Sequence, residues 1–274
     1  MPIRLLALDL DGTILADLHT IPPRTQAAIK AAAARGVYVA LATGREYDIT
    51  HKFVELLGLT TPTICYQGAL IYNGSTGETI GREGIPVPLA HQLIDLARTH
   101  RLALQLCLGE TGTYVEAPSS LSRQTMTAVG ATVQEVSDLK QVITTPPIKG
   151  LIVHPADEAE TLTRELKSTL NGSLNIFRSH ATLIEITSPL VSKGHALAAL
   201  ADYYHIPQAE VMAIGDHDND IEMLAWAGLG VAMGHATSGA KAAAGVIAPP
   251  LSEEGAAWAI EKFILADEKG TEGT

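Results

Sequence analysis

The residues best suited to chemistry are two aspartates that follow the first apolar run of the chain. Residues 5–8 are Leu-Leu-Ala-Leu, and Asp9, Leu10, Asp11 and Gly12 follow directly. An uninterrupted apolar run predicts a strand buried on both faces, as in a parallel sheet covered by helices. Ligands of such sheets bind beyond the carboxyl ends of the strands. If the chain stays extended, the two aspartates share one face, and the glycine allows a sharp turn close to a ligand.

Two carboxylates placed side by side repel one another, so one pKa rises or a cation is required. Aspartates that only cap a turn at the strand end are an equally open interpretation of this segment alone. An EF-hand calcium loop does not fit, because its glycine is the sixth residue of the loop, whereas Gly12 is the fourth residue counted from Asp9.

Composition restricts the class of partner. The chain has 274 residues, of which 46% are hydrophobic, and 19 basic against 30 acidic residues give a net charge of −11. This length allows two domains, and the negative charge argues against nucleic acid or anionic lipid. Cys65 and Cys107 lie in apolar runs without a CxxC spacing, which predicts buried free thiols. With no long apolar segment or cleavage-site pattern, we expect a cytoplasmic protein without a membrane partner.

Two further apolar runs, residues 37–42 and 210–214, also end in polar residues. A later helix is predicted to begin after Ser192 as its N-cap. The polar residues that follow the two runs or begin that helix are Thr43, Gly44, Arg45, Asp216, Asn219, Asp220 and Lys193. Because the carboxyl ends of parallel strands meet at one edge of a sheet, we expect these side chains to lie near Asp9.

The charge at this predicted edge indicates a metal ion. Four aspartates and a single lysine leave it strongly negative, so a phosphate could not bind there unaided. Carboxylates supplemented by water and substrate oxygens are the ligands that Mg²⁺ prefers. The pattern therefore predicts that Mg²⁺ is the cofactor and that the substrate is anionic.

The order of elements predicts two domains, one of them discontinuous. Residues 1–81 and 189–274 alternate strands with helices, which predicts an α/β core with a Rossmann-like parallel sheet and helices on both faces. Residues 82–188 have adjacent strands near their end, which predicts an inserted α+β domain with an antiparallel sheet. The segment 81–88, with two glycines and two prolines, is interpreted as a linker. A final helix over 252–265 and a frayed tail over 267–274 are also expected.

The ordered motifs resemble those of the haloacid dehalogenase-like phosphatase superfamily, in particular its Cof-type branch. The matching segments are Asp-Leu-Asp-Gly-Thr at 9–13, Leu-Ala-Thr-Gly-Arg at 41–45, Lys193, and Gly-Asp-His-Asp-Asn-Asp at 215–220. They occur in the family's order and extend over the whole chain. In that family an insert at 82–188 is an α/β cap that acts as a substrate lid.

The resemblance implies a role for each matching residue. Asp9 would attack phosphorus, and Asp11 would protonate the leaving oxygen and later activate water. Asp9, the backbone carbonyl of Asp11 and Asp216 would hold Mg²⁺. The residues implied to bind the phosphoryl group are Thr43, Gly44, Lys193 and Asn219. Asp220 would orient Lys193 or the ligands around the metal, and Gly12 would form the turn beside them.

Substrate contacts are less defined by the sequence. Candidates are Arg45, Gln67, Lys149, Arg178 and His180, and Arg45 could equally well pair with a nearby acid. Three positions differ from what Cof-type sequences usually show: Gln67 and His235 stand where asparagine is common, and Pro249-Pro250-Leu251 replaces a more polar segment. These differences concern substrate preference and the floor of the pocket.

The function implied is a Mg²⁺-dependent phosphomonoesterase that acts on a small phosphorylated metabolite, with sugar phosphates as the first class to test. The alternatives are a phosphotransferase or phosphomutase of the same fold, and a non-catalytic protein that binds a phosphometabolite. A dehalogenase would need neither a second acid nor a metal, and both are indicated here. A monomer or a homodimer is expected.

Overall fold

The computed structural model describes residues 2–17, 19–109, 112–128 and 132–266. The chain divides into two compact units, Met1–Gly81 with Ser192–Thr274, and Arg82–Val191. We call the first the core unit and the second the insert unit. Within the described residues, no helix is both long and apolar enough to cross a membrane.

The core unit alternates strands and helices except over residues 63–82, where three strands follow one another. Its strands are β1 Leu5–Leu8, β2 Tyr38–Leu41, β3 Thr63–Cys65, β4 Leu70–Asn73, β5 Glu78–Arg82 (the last residue belonging to the insert unit), β12 Val211–Gly215, β13 Leu229–Ala232 and β14 Val246–Ile247. Its α-helices are α1 Pro23–Ala34, α2 Tyr47–Leu57, α7 Lys193–Tyr203, α8 Ile221–Trp226, α9 Ser238–Ala243 and α10 Gly255–Ile260. The remaining strands and helices, numbered in chain order, belong to the insert unit.

A five-stranded sheet forms the centre of the core unit. Its strand order is β14-β13-β12-β1-β2, and every pair is parallel. All four side chains of β1 are fully buried, as the apolar run predicts for a parallel strand covered on both faces. A smaller sheet, β3-β4-β5, lies in the same unit. The predicted α/β class with a parallel core sheet is confirmed.

The insert unit has a sheet of a different kind. Its strands are β6 Leu104–Cys107, β7 Thr113–Val115, β8 Val133–Glu135, β9 Lys149–Val153, β10 Asn175–His180 and β11 Leu183–Thr187. Its helices are α3 Val87–His100, α4 Ser120–Ala128, α5 Leu139–Val142 and α6 Ala156–Thr169. The order is β10-β11-β9-β6-β7-β8, antiparallel except for the parallel pair β7 and β8.

Two elements correct the predicted boundaries. The linker expected at 81–88 is shorter, because β5 runs to Arg82 and α3 begins at Val87, which leaves residues 83–86 outside regular structure. Pro88 lies in the first turn of α3, where no backbone donor is needed. The expected helix at 252–265 is interrupted, because Glu254 has a left-handed backbone (φ 52°) and α10 begins only after it. The tail at 267–274 lies outside the described residues.

Four of the short elements were not predicted. The strands β5, β8 and β14 and the helix α5 have two to five residues each, which is too short for hydrophobic periodicity to distinguish them from loops. Both cysteines are buried and free, as expected from their apolar surroundings. Burial raises the pKa of the Cys65 thiol to about 12, so it stays protonated and unreactive at neutral pH.

The burial of β1 makes the fold sensitive to truncation there. We expect Leu5→Ala to lower the free energy of unfolding by about 2–5 kcal/mol, because the cavity cannot collapse between two paired strands. Urea unfolding followed by circular dichroism measures this. Ile49→Ala, at a side chain with 46% exposure, is the control and should change stability by less than about 0.5 kcal/mol. Equal effects of the two variants would contradict this account of the core.

Candidate active site

The register of the parallel sheet brings three strand ends together. Leu8 at the end of β1 lies between Leu41 and Ile214. The backbone N–H of Asp9 donates to the carbonyl of Ile214 at 3.0 Å. Asp9, Thr43 and Asp216 therefore leave the sheet at one edge, and all three are buried. A set of buried polar side chains at this edge matches the position at which ligands bind parallel sheets.

A buried lysine connects two of these strand ends. Lys193 is fully buried at the start of α7, and its Nζ donates to Asp9 Oδ1 at 2.5 Å and to Asp220 Oδ1 at 2.7 Å. Ser192 caps the helix by accepting from the N–H of His195 at 3.1 Å, which confirms the predicted N-cap. The lysine is thus held at both ends, because its backbone begins the capped helix and its ammonium group pairs with two carboxylates.

Burial and charge act in opposite directions on this ion pair. Burial raises the pKa of Asp9 above its ordinary range, Lys193 opposes the rise, and Asp220 and Asp216 add to it. Burial lowers the pKa of Lys193, but Asp9 and Asp220 outweigh burial and keep the lysine pKa above its usual value. Lys193 therefore stays cationic, and the excess negative charge falls on the carboxylates.

Asp220 is occupied by contacts that orient its neighbours. Its Oδ1 accepts from Lys193, and its Oδ2 accepts from the backbone N–H groups of Asp216 at 2.9 Å and His217 at 3.1 Å. A Cβ at Gly215 would lie 2.6 Å from Asp220 side-chain atoms. A glycine is required there because any side chain would displace the carboxylate.

Three carboxylates could hold a metal ion. Oxygens of Asp9, Asp216 and Asp220 lie within 4.8 Å of one another, and all three residues are buried. Because Asp220 already accepts three hydrogen bonds, from Lys193 and from two backbone N–H groups, Asp9 and Asp216 are the better metal ligands. Such hard oxygen ligands fit Mg²⁺. Thr13 Oγ1 donates to Asp216 Oδ1 at 3.0 Å and orients that carboxylate.

The glycine in the first motif lies against Asp216. Gly12 has a positive φ of 83°, and a Cβ there would lie 2.4 Å from Asp216 Oδ2. Glycine is therefore required at this position for two reasons: the turn needs a positive φ, and the carboxylate of Asp216 leaves no room for a Cβ.

Asp11 and Asp9 differ in burial, because the chain does not stay extended beyond β1, as a shared face would require. The side chain of Asp11 is 49% exposed, whereas Asp9 is buried. The reason is that β1 ends at Leu8 and the chain turns at Gly12, so the alternation of an extended strand no longer applies. The carboxylate of Asp11 is also absent from the cluster of potential metal ligands.

Arg45 accounts for the position of Asp11. Its Nε donates to Asp11 Oδ2 at 2.8 Å and its terminal nitrogen donates to Oδ1 at 2.5 Å. Of the two alternatives for this arginine, the structure shows pairing with an acid. The bidentate geometry places both oxygens of Asp11 in contact with the guanidinium.

Two histidines also lie beside Asp216. His217 Nδ1 is 3.4 Å and His235 Nε2 is 3.7 Å from Asp216 Oδ2. The backbone N–H of Leu251 donates to Nδ1 of His235 at 3.3 Å, so two of the positions that differ from the Cof-type pattern are in contact. Neither His217 nor Thr13 was predicted to have a role. Thr13 lies 203 positions from Asp216 in the sequence, and His217, although it is the next residue, carries no signal that its ring turns towards the carboxylate.

The remaining candidates fall into two groups. Gln67 lies in the core unit and accepts a hydrogen bond from Asn219 at 2.9 Å. In the insert unit, Lys149 is 4.0 Å from Glu185, and Arg178 is 2.8 Å from Glu160 on α6. The side chain of His180 lies outside what the structure describes. Roles for these residues in substrate binding stay predictions.

Comparison with known proteins identifies the family. Residues 6–260 match the model of the haloacid dehalogenase-like hydrolases. The chain belongs to this family. The resemblance seen in the four sequence motifs and the expectation of a hydrolytic enzyme are therefore confirmed.

Individual relatives extend over nearly the whole chain. YxeH of Bacillus subtilis is 30% identical and covers 96% of this chain and 99% of its own length. The 5-amino-6-(5-phospho-D-ribitylamino)uracil phosphatase YitU of the same organism is 28% identical, with coverages of 94% and 97%. A haloacid dehalogenase-like hydrolase of Bacteroides thetaiotaomicron is 29% identical, with a TM-score of 0.82 and coverages of 95% and 99%.

The buried ion pairs make a prediction about stability. We expect Lys193→Met to lower the free energy of unfolding by about 3–5 kcal/mol, because two buried carboxylates lose their partner. Adding Asp220→Asn should recover part of this loss. Urea unfolding measures both, with Lys30→Met on the exposed face of α1 as the control. A loss below about 1 kcal/mol for Lys193→Met would contradict the ion-pair account.

Proposed function

We propose that this protein is a phosphatase that hydrolyses the phosphomonoester of a small metabolite through an aspartyl phosphate at Asp9. The observation that carries the proposal is the buried Asp9 carboxylate, held 2.5 Å from Lys193 Nζ at the sheet edge that also bears Thr43 and Asp216. A carboxylate fixed by a cation in a buried site is suited to nucleophilic attack.

In the first half-reaction, one oxygen of Asp9 attacks phosphorus. The new bond joins that oxygen to phosphorus, and the bond from phosphorus to the ester oxygen breaks. After it has left Arg45 and taken up a proton from solvent, Asp11 donates that proton to the departing oxygen. Lys193 stabilises the charge that grows on the phosphoryl oxygens.

In the second half-reaction, water attacks the same phosphorus. Asp11 takes a proton from the water, phosphate leaves, and the Asp9 carboxylate is restored. Asp11 is 49% exposed, so solvent reaches its carboxylate. Once released from Arg45, this carboxylate would first donate and then accept a proton.

The phosphoryl group needs donors and a counter-charge. We assign Thr43, Gly44, Lys193 and Asn219 to the phosphoryl oxygens. When bound, Mg²⁺ supplies positive charge that offsets repulsion between the substrate and the carboxylates. Asp9, Asp216 and the carbonyl of Asp11 would hold it, while Asp220 and the turn at Gly12 keep these ligands in place.

The relatives narrow the substrate class. YitU is named for a phosphorylated ribityl compound, and YbhA of Escherichia coli, which is 28% identical, is named a pyridoxal phosphate phosphatase. Both compounds in these names are small phosphorylated metabolites. We infer a substrate of this kind in the cytoplasm, with sugar phosphates as the first class to test. Residues 82–188 would then act as a lid that selects the substrate.

The reaction class is tested by phosphate release. We expect a panel of sugar phosphates, nucleotides and p-nitrophenyl phosphate to include at least one compound that is hydrolysed. Asp9→Asn should abolish release, because an amide cannot attack phosphorus, while circular dichroism stays unchanged. Transfer of the phosphoryl group to a second hydroxyl without free phosphate would favour a phosphotransferase. Binding without turnover would favour a non-catalytic protein.

The metal is tested by removal and by direct binding. We expect EDTA to abolish phosphate release and Mg²⁺ to restore it. Calorimetry should show that Asp216→Asn weakens Mg²⁺ binding by about tenfold or more. Asp218→Asn is the matched control, since Asp218 accepts from Thr237 at 2.7 Å and is not among the clustered carboxylates. Full activity in EDTA would exclude the proposed cofactor.

A further inference from the structure

The turn Tyr66–Gly68, which follows β3, has an unusual backbone. Tyr66 and Gln67 are consecutive non-glycine residues with positive φ, at 52° and 62°. This left-handed region is costly for residues that carry a Cβ. Such a conformation persists only where surrounding contacts maintain it, and it occurs often at functional sites.

The contacts of this turn lead to the proposed phosphate-binding residues. The N–H of Tyr66 donates to the carbonyl of Arg45 at 3.1 Å, and the N–H of Gln67 donates to the carbonyl of Thr43 at 3.0 Å. A Cβ at Gly68 would lie 2.2 Å from the carbonyl oxygen of Ser192. The turn therefore touches the loop after β2 and the start of α7.

The side chain of Gln67 adds a third connection. Its Oε1 accepts from Asn219 Nδ2 at 2.9 Å. Its Nε2 lies 2.2 Å from the point that a Cβ on Gly44 would occupy. The amide thus fills the space that the missing side chain of Gly44 leaves open. A Cβ at position 44 would push the amide off its present path to Asn219.

We propose that Gln67 is a positioning residue that fixes the amide of Asn219 for phosphoryl binding, and that Gly44 is the glycine that makes room for it. This inference rests on the proposed function. The hydrogen bond holds Nδ2 of Asn219 in one direction, so Asn219 does not lose side-chain freedom when the phosphoryl group binds. Asparagine at position 67, one methylene shorter, would not span the same distance.

The inference predicts a specific pattern of non-additivity. Gln67→Ala, Gln67→Asn and Gly44→Ala should each weaken the binding of inorganic phosphate by about two- to tenfold, the effect of one lost hydrogen bond. Gln67→Ala should have no further effect in an Asn219→Ala background, because it acts through Asn219. Calorimetry with inorganic phosphate in the presence of Mg²⁺ measures each value.

A second measurement reports the position of Asn219 without any ligand. The side-chain amide signal of Asn219, assigned in an NMR spectrum by its loss in Asn219→Asp, should shift in Gln67→Ala and in Gly44→Ala. Two controls should leave it unchanged. Gln26→Ala removes a glutamine whose Nε2 donates to the carbonyl of Ile21 at 2.8 Å, and Gly245→Ala adds a Cβ whose nearest atom is 3.9 Å away.

The outcomes separate the inference from the proposed function. An unchanged Asn219 signal in Gln67→Ala, or phosphate-binding losses that multiply in Gln67→Ala/Asn219→Ala, would overturn the role of Gln67. If the wild type releases phosphate from no substrate but the Asn219 signal shifts as expected, the proposed function fails and the positioning contact stands.

Discussion

The buried ion pairs of Lys193 constrain the whole active site. An ammonium that is removed from water is tolerated only when partners satisfy it, and here Asp9 and Asp220 do so from two different strand ends. The lysine must therefore enter at a fixed point, which the cap at Ser192 provides. Asp220 in turn holds the backbone of Asp216, so one charge determines the position of three carboxylates.

Much of this arrangement could be predicted because it depends on local rules. The apolar run before Asp9, the polar residues after β2 and β12, and the Ser192 cap all follow from burial, parallel pairing and helix capping. Strand ends of a parallel sheet meet at one edge whatever the loops do. The family motifs then added roles that spacing alone does not supply.

Other parts of the site depend on contacts between distant residues, which have no local signal. The exposed position of Asp11 results from a turn and from Arg45, and the bond between Gln67 and Asn219 joins residues that are 152 positions apart. The left-handed backbone of Tyr66 and Gln67 contradicts the residue preferences of such turns. Thr13 reaches Asp216 only in the folded chain, because 203 positions separate the two residues.

The two chain junctions between the units differ in how well they would tolerate engineering. The chain enters the insert unit after Gly81 and returns at Ser192, one residue before Lys193. A foreign domain grafted at the first junction would meet only the end of an edge strand. At the second junction, an altered entry angle would displace the helix cap and the buried ammonium together. Exchange of the insert between relatives should therefore keep Ser192 and its following turn from the recipient, whereas the first splice point can vary by several residues.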